Sequence, residues 1–332
     1  MPTGPSNCLT DVDGLAAGSA QDEAARTGVT VVLPDEAAVC ACDVRGGGPG
    51  TRETDALRLE GLVDRADAVV LAGGSVYGLG AADAVCAALG ARGRGFALVR
   101  QAGVPVSPVV PAAILYDLAN GGQKGWGQAP PYARLGREAL AAASDAPLAL
   151  GRAGAGYGAM AGAHRGGLGA ASWTEGGVTV GAVVAVNSFG SPYAPGTDRF
   201  WAAPWEQGAE FGGRGVAAGT GHAGLPPDTK LGDAKLGTGT RANTTIALVA
   251  TDAALTKAQA RRLAVMAQDG LARAIRPAHG PTDGDVVFAV ATGQGAPAAL
   301  PDLLALGTIA GDVLARAVAR GVHAAEGEGE EA

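Results

Sequence analysis

A chain of 332 residues suits one large domain or two ordinary ones, and 47% apolar residues against 17% charged exclude a disordered polypeptide. The formal charge of −7 lacks the basic footprint of a nucleic-acid binder, and no uninterrupted apolar run reaches the roughly 18 residues of a membrane span. Glycine, at 55 residues, is far above its usual share but has no three-residue period, which excludes collagen and points to close backbone packing and tight turns.

Residues 1–13 carry neither a basic segment nor an apolar one, so no secretory signal is read there and a cytoplasmic protein is expected. The first strand is predicted at 28–33 and the next at 68–71. Both are continuous apolar runs, which suits strands covered on both faces. Gly73-Gly74-Ser75-Val76-Tyr77-Gly78-Leu79-Gly80 follows, between a strand and an Ala-rich helix predicted at 79–89. It stands where a phosphate loop would, but it is not G-x-G-x-x-G and has no Walker lysine. Further strands are predicted at 96–99 and 112–116, and a second helix at 133–143.

Gly154-Ala155-Gly156-Tyr157-Gly158-Ala159 does satisfy a dinucleotide pattern. The segment before it is a poor strand, however, and more glycine follows where a helix is required. Tight turns explain both glycine runs more simply. A strand at 178–186 ends at Asn187, and residues 188–240 then lose periodicity, a long connection of the kind that is often functional or mobile. Asn243-Thr244-Thr245 opens a strand to Ala250. The clearest helix begins at Thr256, where Gln259 completes a capping box, and runs to Ile275 before Pro277. A strand at 285–291 and a helix from Pro301 toward Val318 close the pattern, leaving 326–332 as an acidic tail expected to be disordered.

The four cysteines (Cys8, Cys40, Cys42, Cys86) make neither a disulfide framework nor a CxxC pair, and with four histidines they offer no metal-ligand spacing. No metal and no cofactor are expected. The chemistry concentrates instead at three strand edges: Asn187, Asn243-Thr244-Thr245 and Asp283-Gly284-Asp285. Side chains at strand edges converge while the scaffold holds them still. One hydroxyl, carboxamides and two carboxylates are present. Each motif taken alone is also an ordinary turn or cap.

These motifs, taken in order, carry a resemblance. Leu9-Thr10-Asp11-Val12-Asp13-Gly14, Asp43-Val44-Arg45-Gly46-Gly47, Gly50-Thr51-Arg52-Glu53-Thr54-Asp55 and Leu71-Ala72-Gly73-Gly74-Ser75 come first. The glycine stretch 154–169, Val184-Ala185-Val186-Asn187, Asn243-Thr244-Thr245-Ile246 and Arg276-Pro277-Ala278-His279 with the Asp283–Asp285 pair follow. The sequence resembles the DmpA-like family of N-terminal-nucleophile amidohydrolases over nearly its whole length. The resemblance implies an α/β, αββα four-layer sandwich spanning 1–325. It also implies self-cleavage at Asn243–Thr244 into 1–243 and 244–332, roughly 24 and roughly 9 kDa by residue share of the 32.4 kDa chain.

Under that resemblance Thr244 is the nucleophile, Asn187 donates to the oxyanion, and Asp283 and Asp285 orient the threonine. Two carboxylates one residue apart on an extended chain face opposite ways, so unequal roles are expected, with Asp283 nearer the nucleophile. Arg165 stands where relatives often carry a lysine. It keeps the charge but cannot act as a base. His164 is expected to be incidental and His279 to be a packing or loop residue rather than a catalytic base, whereas Tyr77 and Tyr116 match positions near a substrate pocket. The implied partners are small peptides or amides and further copies of the processed heterodimer. An ornithine acetyltransferase-type acyltransferase and a non-catalytic or nucleotide-binding glycine-rich protein are the alternatives.

Overall fold

A computed structural model describes residues 2–219, 224–230 and 243–327. In chain order its strands begin with β1 (Leu15–Asp22), β2 (Thr27–Pro34), β3 (Ala38–Val44), β4 (Thr51–Arg52), β5 (Arg65–Ala66) and β6 (Val69–Ala72). Helix α1 (Gly80–Ala91), strand β7 (Ala112–Ile114) and helix α2 (Tyr132–Ala141) come next. The short pair β8 (Met160–Ala161) and β9 (His164–Arg165) precedes the long strands β10 (Gly167–Glu175) and β11 (Val178–Asn187). The chain closes with β12 (Thr244–Thr251), α3 (Lys257–Ala274), β13 (Val286–Ala291) and α4 (Leu300–Glu326).

Among the described residues two large sheets form, in the orders β1-β2-β6-β7-β4 and β10-β11-β12-β13-β3-β5, beside the two-stranded β8–β9. The period of two along the central strands explains how they stack. On β12, Ile246, Leu248 and Ala250 join Val32, Leu71, Val183 and Phe288 in the apolar layer between the sheets. Ala247 and Val249 point the other way, toward Leu263 and Leu271 of α3 and Val313 and Val318 of α4. Val29, Val31 and Val70 of the first sheet face Val85 of α1 and Leu135 of α2. The order is therefore helix, sheet, sheet, helix, the αββα sandwich.

Glycine permits the closest of these contacts. A Cβ on Gly169 of β10 would lie 1.9 Å from the Ala317 carbonyl oxygen of α4, a distance no side chain tolerates. The capping box at Thr256 is formed: the Gln259 amide donates to Thr256 Oγ1 (3.2 Å), and Gln259 Oε1 accepts from the Thr256 amide (2.9 Å).

Four expectations change. Residues 96–99 form no strand: Phe96 makes one bridge to Ser107, while Leu98 and Val99 stay exposed because no sheet covers them. Strands β1, β3 and β10 also form: in β1 and β10 small and polar residues (Leu15-Ala16-Ala17-Gly18-Ser19) break any apolar run, and in β3 the run Ala38–Cys42 is built of small Ala and Cys residues with Val39 as its one β-branched member. Helix α4 extends past Val318, since Ala319 and Val322 still face the core. Glu326, assigned to a loose tail, instead ends α4 and pairs with Arg214 at 2.6 Å. Residues 328–332 lie outside the described residues.

The long connection is packed where it is described. Tyr193, Phe200 and Phe211 sit in the outer core. The fully buried Arg316 of α4 donates to both Glu210 oxygens, at 2.6 and 2.9 Å, and to the Ser172 carbonyl at 2.8 Å. Such a pair is tolerated in a core only because these hydrogen bonds satisfy it.

Candidate active site

Strand pairing gathers the three polar motifs. In the antiparallel β11–β12 ladder Asn187 stands opposite Thr244. Strand β13 runs parallel to β12, and its approach residue Asp283 forms a bridge with Asn243. Asn187, Asn243, Thr244, Asp283 and Asp285 are all buried. Motifs separated by up to about a hundred residues thus meet at one end of the second sheet.

The Asn243–Thr244 peptide has an unusual environment. Thr244 Oγ1 donates a hydrogen bond to the carbonyl oxygen of the residue before it, Asn243. The Gly284 amide donates to that same oxygen at 3.0 Å. A Cβ on Gly284 would lie 2.7 Å from Thr244 Oγ1 and 2.7 Å from the Gly48 carbonyl oxygen, so only glycine brings an amide this close to the hydroxyl.

The two carboxylates divide the surrounding backbone between them. Asp285 Oδ1 accepts from the Thr245 amide at 2.8 Å, and Oδ2 accepts from the His279 amide and contacts His279 Nδ1, both at 2.9 Å. Asp283 accepts from the amides of Phe189 (3.1 Å) and Gly280 (2.9 Å). Burial, reinforced by the neighbouring Asp285 charge, pushes the Asp283 carboxyl up to about 6. His279, expected to be a packing or loop residue, is the partner of Asp285.

Asn187 is locked in orientation. Its Oδ1 accepts from the Met160 amide (3.0 Å) and from Lys230 Nζ (3.1 Å), which leaves Nδ2 as a donor, directed at the Tyr116 carbonyl (3.0 Å). Lys230 Nζ also reaches the Asn187 carbonyl oxygen at 3.0 Å, and its charge partly offsets the upward shift of Asp283. Nothing in the sequence singled out Lys230, which lies in the stretch without periodicity. A cavity of about 270 Å³ opens here, lined by Tyr116, Asn120, Met160, Asn187 and Lys230.

The remaining site candidates fall elsewhere. Arg165, on β9, lines an adjoining cavity of about 320 Å³, and among the described residues it has no hydrogen bond to Thr244, Asn187 or the aspartates. The ammonium beside Asn187 is that of Lys230. Tyr77 is exposed and packs edge-on against Trp126 at 5.9 Å between ring centres. His164 contacts Asp228 at 3.4 Å.

In both glycine runs several amides are already committed. The Gly74 amide donates to Asp117 Oδ1 (2.7 Å), Ala155 to Thr30 Oγ1 (3.1 Å) and Gly154 to Gln21 Oε1 (3.3 Å). A phosphate would have to displace these acceptors to use the same amides. Among the described residues no group of three His, Cys, Asp or Glu is placed to hold a metal ion, and no helix is long and apolar enough to cross a membrane. Burial pushes the Cys40 thiol up and the Cys42 thiol up to about 11, which makes both poor nucleophiles.

Residues 7–330 match the model of peptidase family S58. The chain belongs to that family. Like other members of S58 it is therefore a hydrolase of the peptidase class. It is 45% identical to an uncharacterized aminopeptidase of Mycobacterium bovis, over 95% of this chain and 93% of that protein. It is 32% identical to a 6-aminohexanoate-oligomer endohydrolase of a Kocuria species, over 88% of this chain and 77% of that protein. Among solved structures, the L-aminopeptidase D-Ala-esterase/amidase of Ochrobactrum anthropi shares the fold with a TM-score of 0.72 and 23% identity, over 97% of this chain and 87% of that one. That structure is described as a variant of the Ntn hydrolase fold.

Proposed function

We propose that this S58 member is a self-processing aminopeptidase whose nucleophile is Thr244, acting on short peptides or amino-acid amides through an acyl-enzyme. The observation that carries the reading is the pairing at Asn243–Thr244: the hydroxyl lies on the carbonyl it would attack, and the Gly284 amide is bonded to the oxygen that would become the oxyanion.

Thr244 Oγ attacks the Asn243 carbonyl carbon, with negative charge collecting on the oxygen that Gly284 holds. The C–N bond then breaks, the threonine nitrogen takes up a proton, and an ester joins Asn243 to Thr244 Oγ. Water cleaves the ester, releasing the Asn243 carboxylate and restoring the hydroxyl. The threonine now carries a free α-amine, which titrates near 7.7 to 8.0 and is partly neutral at working pH. A threonine hydroxyl is a weak nucleophile without an adjacent base, and cleavage creates that base on the same residue.

In turnover, Asn187 Nδ2 supplies the oxyanion donor, its orientation held by Lys230 and Met160, while Asp285 holds the Thr245 amide beside the threonine and Asp283 holds the Phe189 and Gly280 amides. The aminopeptidase names of relatives favour removal of N-terminal residues. The family resemblance also carries the expectation that processed heterodimers assemble into oligomers, which sizing of the split protein tests.

Intact-mass measurement and N-terminal sequencing of the purified protein test the proposal. Two pieces are expected, the smaller beginning at Thr244, and Thr244→Ala should stay whole and inactive. A wild-type chain that persists uncut, or an active Thr244→Ala, overturns it.

A further inference from the structure

The 320 Å³ cavity is lined by Arg26, Arg152 and Arg165, and it shares Asn120, Gly158 and Met160 with the cavity at Asn187. The two therefore join along one wall. The proposed function uses only the second.

Among the described residues none of these three guanidiniums is paired with a carboxylate. Among the described residues the Arg26 side chain reaches only the Asn120 carbonyl (3.5 Å), that of Arg152 stacks over the Tyr157 ring at 4.9 Å, and that of Arg165 makes no hydrogen bond. Three like charges around one cavity repel each other, in a chain whose net charge is −7. An anion seated among them removes that cost. Guanidinium forks match the planar geometry of a carboxylate.

Asn120 supplies an independent observation. Its Nδ2 donates to the carbonyls of Arg26 (2.8 Å) and Gly158 (2.9 Å), which leaves Oδ1 buried without a partner. A buried acceptor without a donor is rare and costly, and it marks the wall that the two cavities share. Along the wall the proposed oxyanion donor Asn187 is thus followed by Asn120 and then by three cations.

We propose that the arginine cavity binds a carboxylate carried by the leaving half of a short peptide, so that this enzyme selects small peptides with an anionic group beyond the scissile bond. The inference rests on the aminopeptidase reading above and names its substrate class. The carboxylate has two sources, the C-terminus of a dipeptide or an acidic side chain.

Four substrates separate them: Ala-Gly, Ala-Gly-amide, Ala-Asp-amide and Ala-Asn-amide. A charge-assisted contact predicts that kcat/KM for at least one acid exceeds its neutral counterpart by about tenfold or more. Preference within the first pair identifies the terminal carboxylate, and preference within the second the side chain. In the folded double variant Arg26→Gln/Arg152→Gln the acid-to-neutral ratio should fall toward one, as it should in Arg165→Gln. Equal rates within both pairs, or a ratio unchanged in the double variant, overturn the inference while the peptidase reading stands. No turnover of these peptides or of alanine p-nitroanilide, whose leaving group carries no charge, sinks both.

Discussion

Two glycine turns of this molecule use the same group, a backbone amide in a crowded place, for opposite ends. At Gly74 the amide donates to the Asp117 carboxylate, which also accepts from Thr27 Oγ1 at 2.6 Å; burial raises that carboxyl. The acceptor there is a side chain of the core, and the bond is purely structural. At Gly284 the acceptor is a peptide carbonyl with a hydroxyl already on it. The difference teaches that a glycine-rich turn has no chemistry of its own. What lies opposite the amide decides whether it braces a fold or stabilises a developing charge.

The sharpest way to break that comparison is at Gly284. Gly284→Ala forces a Cβ against Thr244 Oγ1 and should slow the split by at least about 10²-fold, the scale of losing one oxyanion donor. The time course of the two fragments by mass spectrometry is the readout, with far-ultraviolet circular dichroism confirming that the chain folds. Splitting at the wild-type rate would return Gly284 to an ordinary turn.

Next in size, Asn187→Ala should lower kcat of the processed enzyme by roughly 10²-fold. Lys230→Met should lower it less, because the Met160 amide still holds Asn187 Oδ1. A Lys230→Met variant as slow as Asn187→Ala would mean that the ammonium does more than orient the amide.

On the structural side, Asp117→Ala leaves the Gly74 amide and the Thr27 hydroxyl without their acceptor, a cost of about 2–4 kcal/mol in stability. The split should nevertheless proceed in the folded protein. A lower denaturation midpoint with intact processing would separate the two turns, whereas lost processing would join them.

The smallest effect is in pH. The Asp283 carboxyl is pushed up to about 6 from 3.8, so between those values the folded chain binds more protons than the unfolded one. Its contribution to stability therefore falls as pH rises through that window, and the penalty is complete above about 6. The denaturation midpoint of Asp283→Asn relative to wild type should shift in the variant's favour between pH 4 and pH 7. A shift in the opposite direction would mean that the carboxylate is stabilised where it lies.

The central strands were legible because their apolar runs are local: β11, β12 and β13 read as buried strands before any neighbour was known. The capping box of α3 was equally plain. Strand β10 was hidden within a glycine stretch, since its residues are small to admit α4, a fact about the partner helix that the strand itself does not encode.

The same division runs through the site. Asn187, Thr244 and the Asp283–Asp285 pair stood out because each interrupts an apolar run at a strand end. Lys230, Asn120, Arg26 and Arg152 did not, and Arg165 did so only through the family resemblance, because nothing local to these residues says what they face across space. Sequence alone determined what repeats within a few residues: strand period, helix caps, and a hydroxyl beside a carboxamide. Only the tertiary structure decided which distant charges share a cavity, because electrostatic attraction and repulsion act through space and not along the chain.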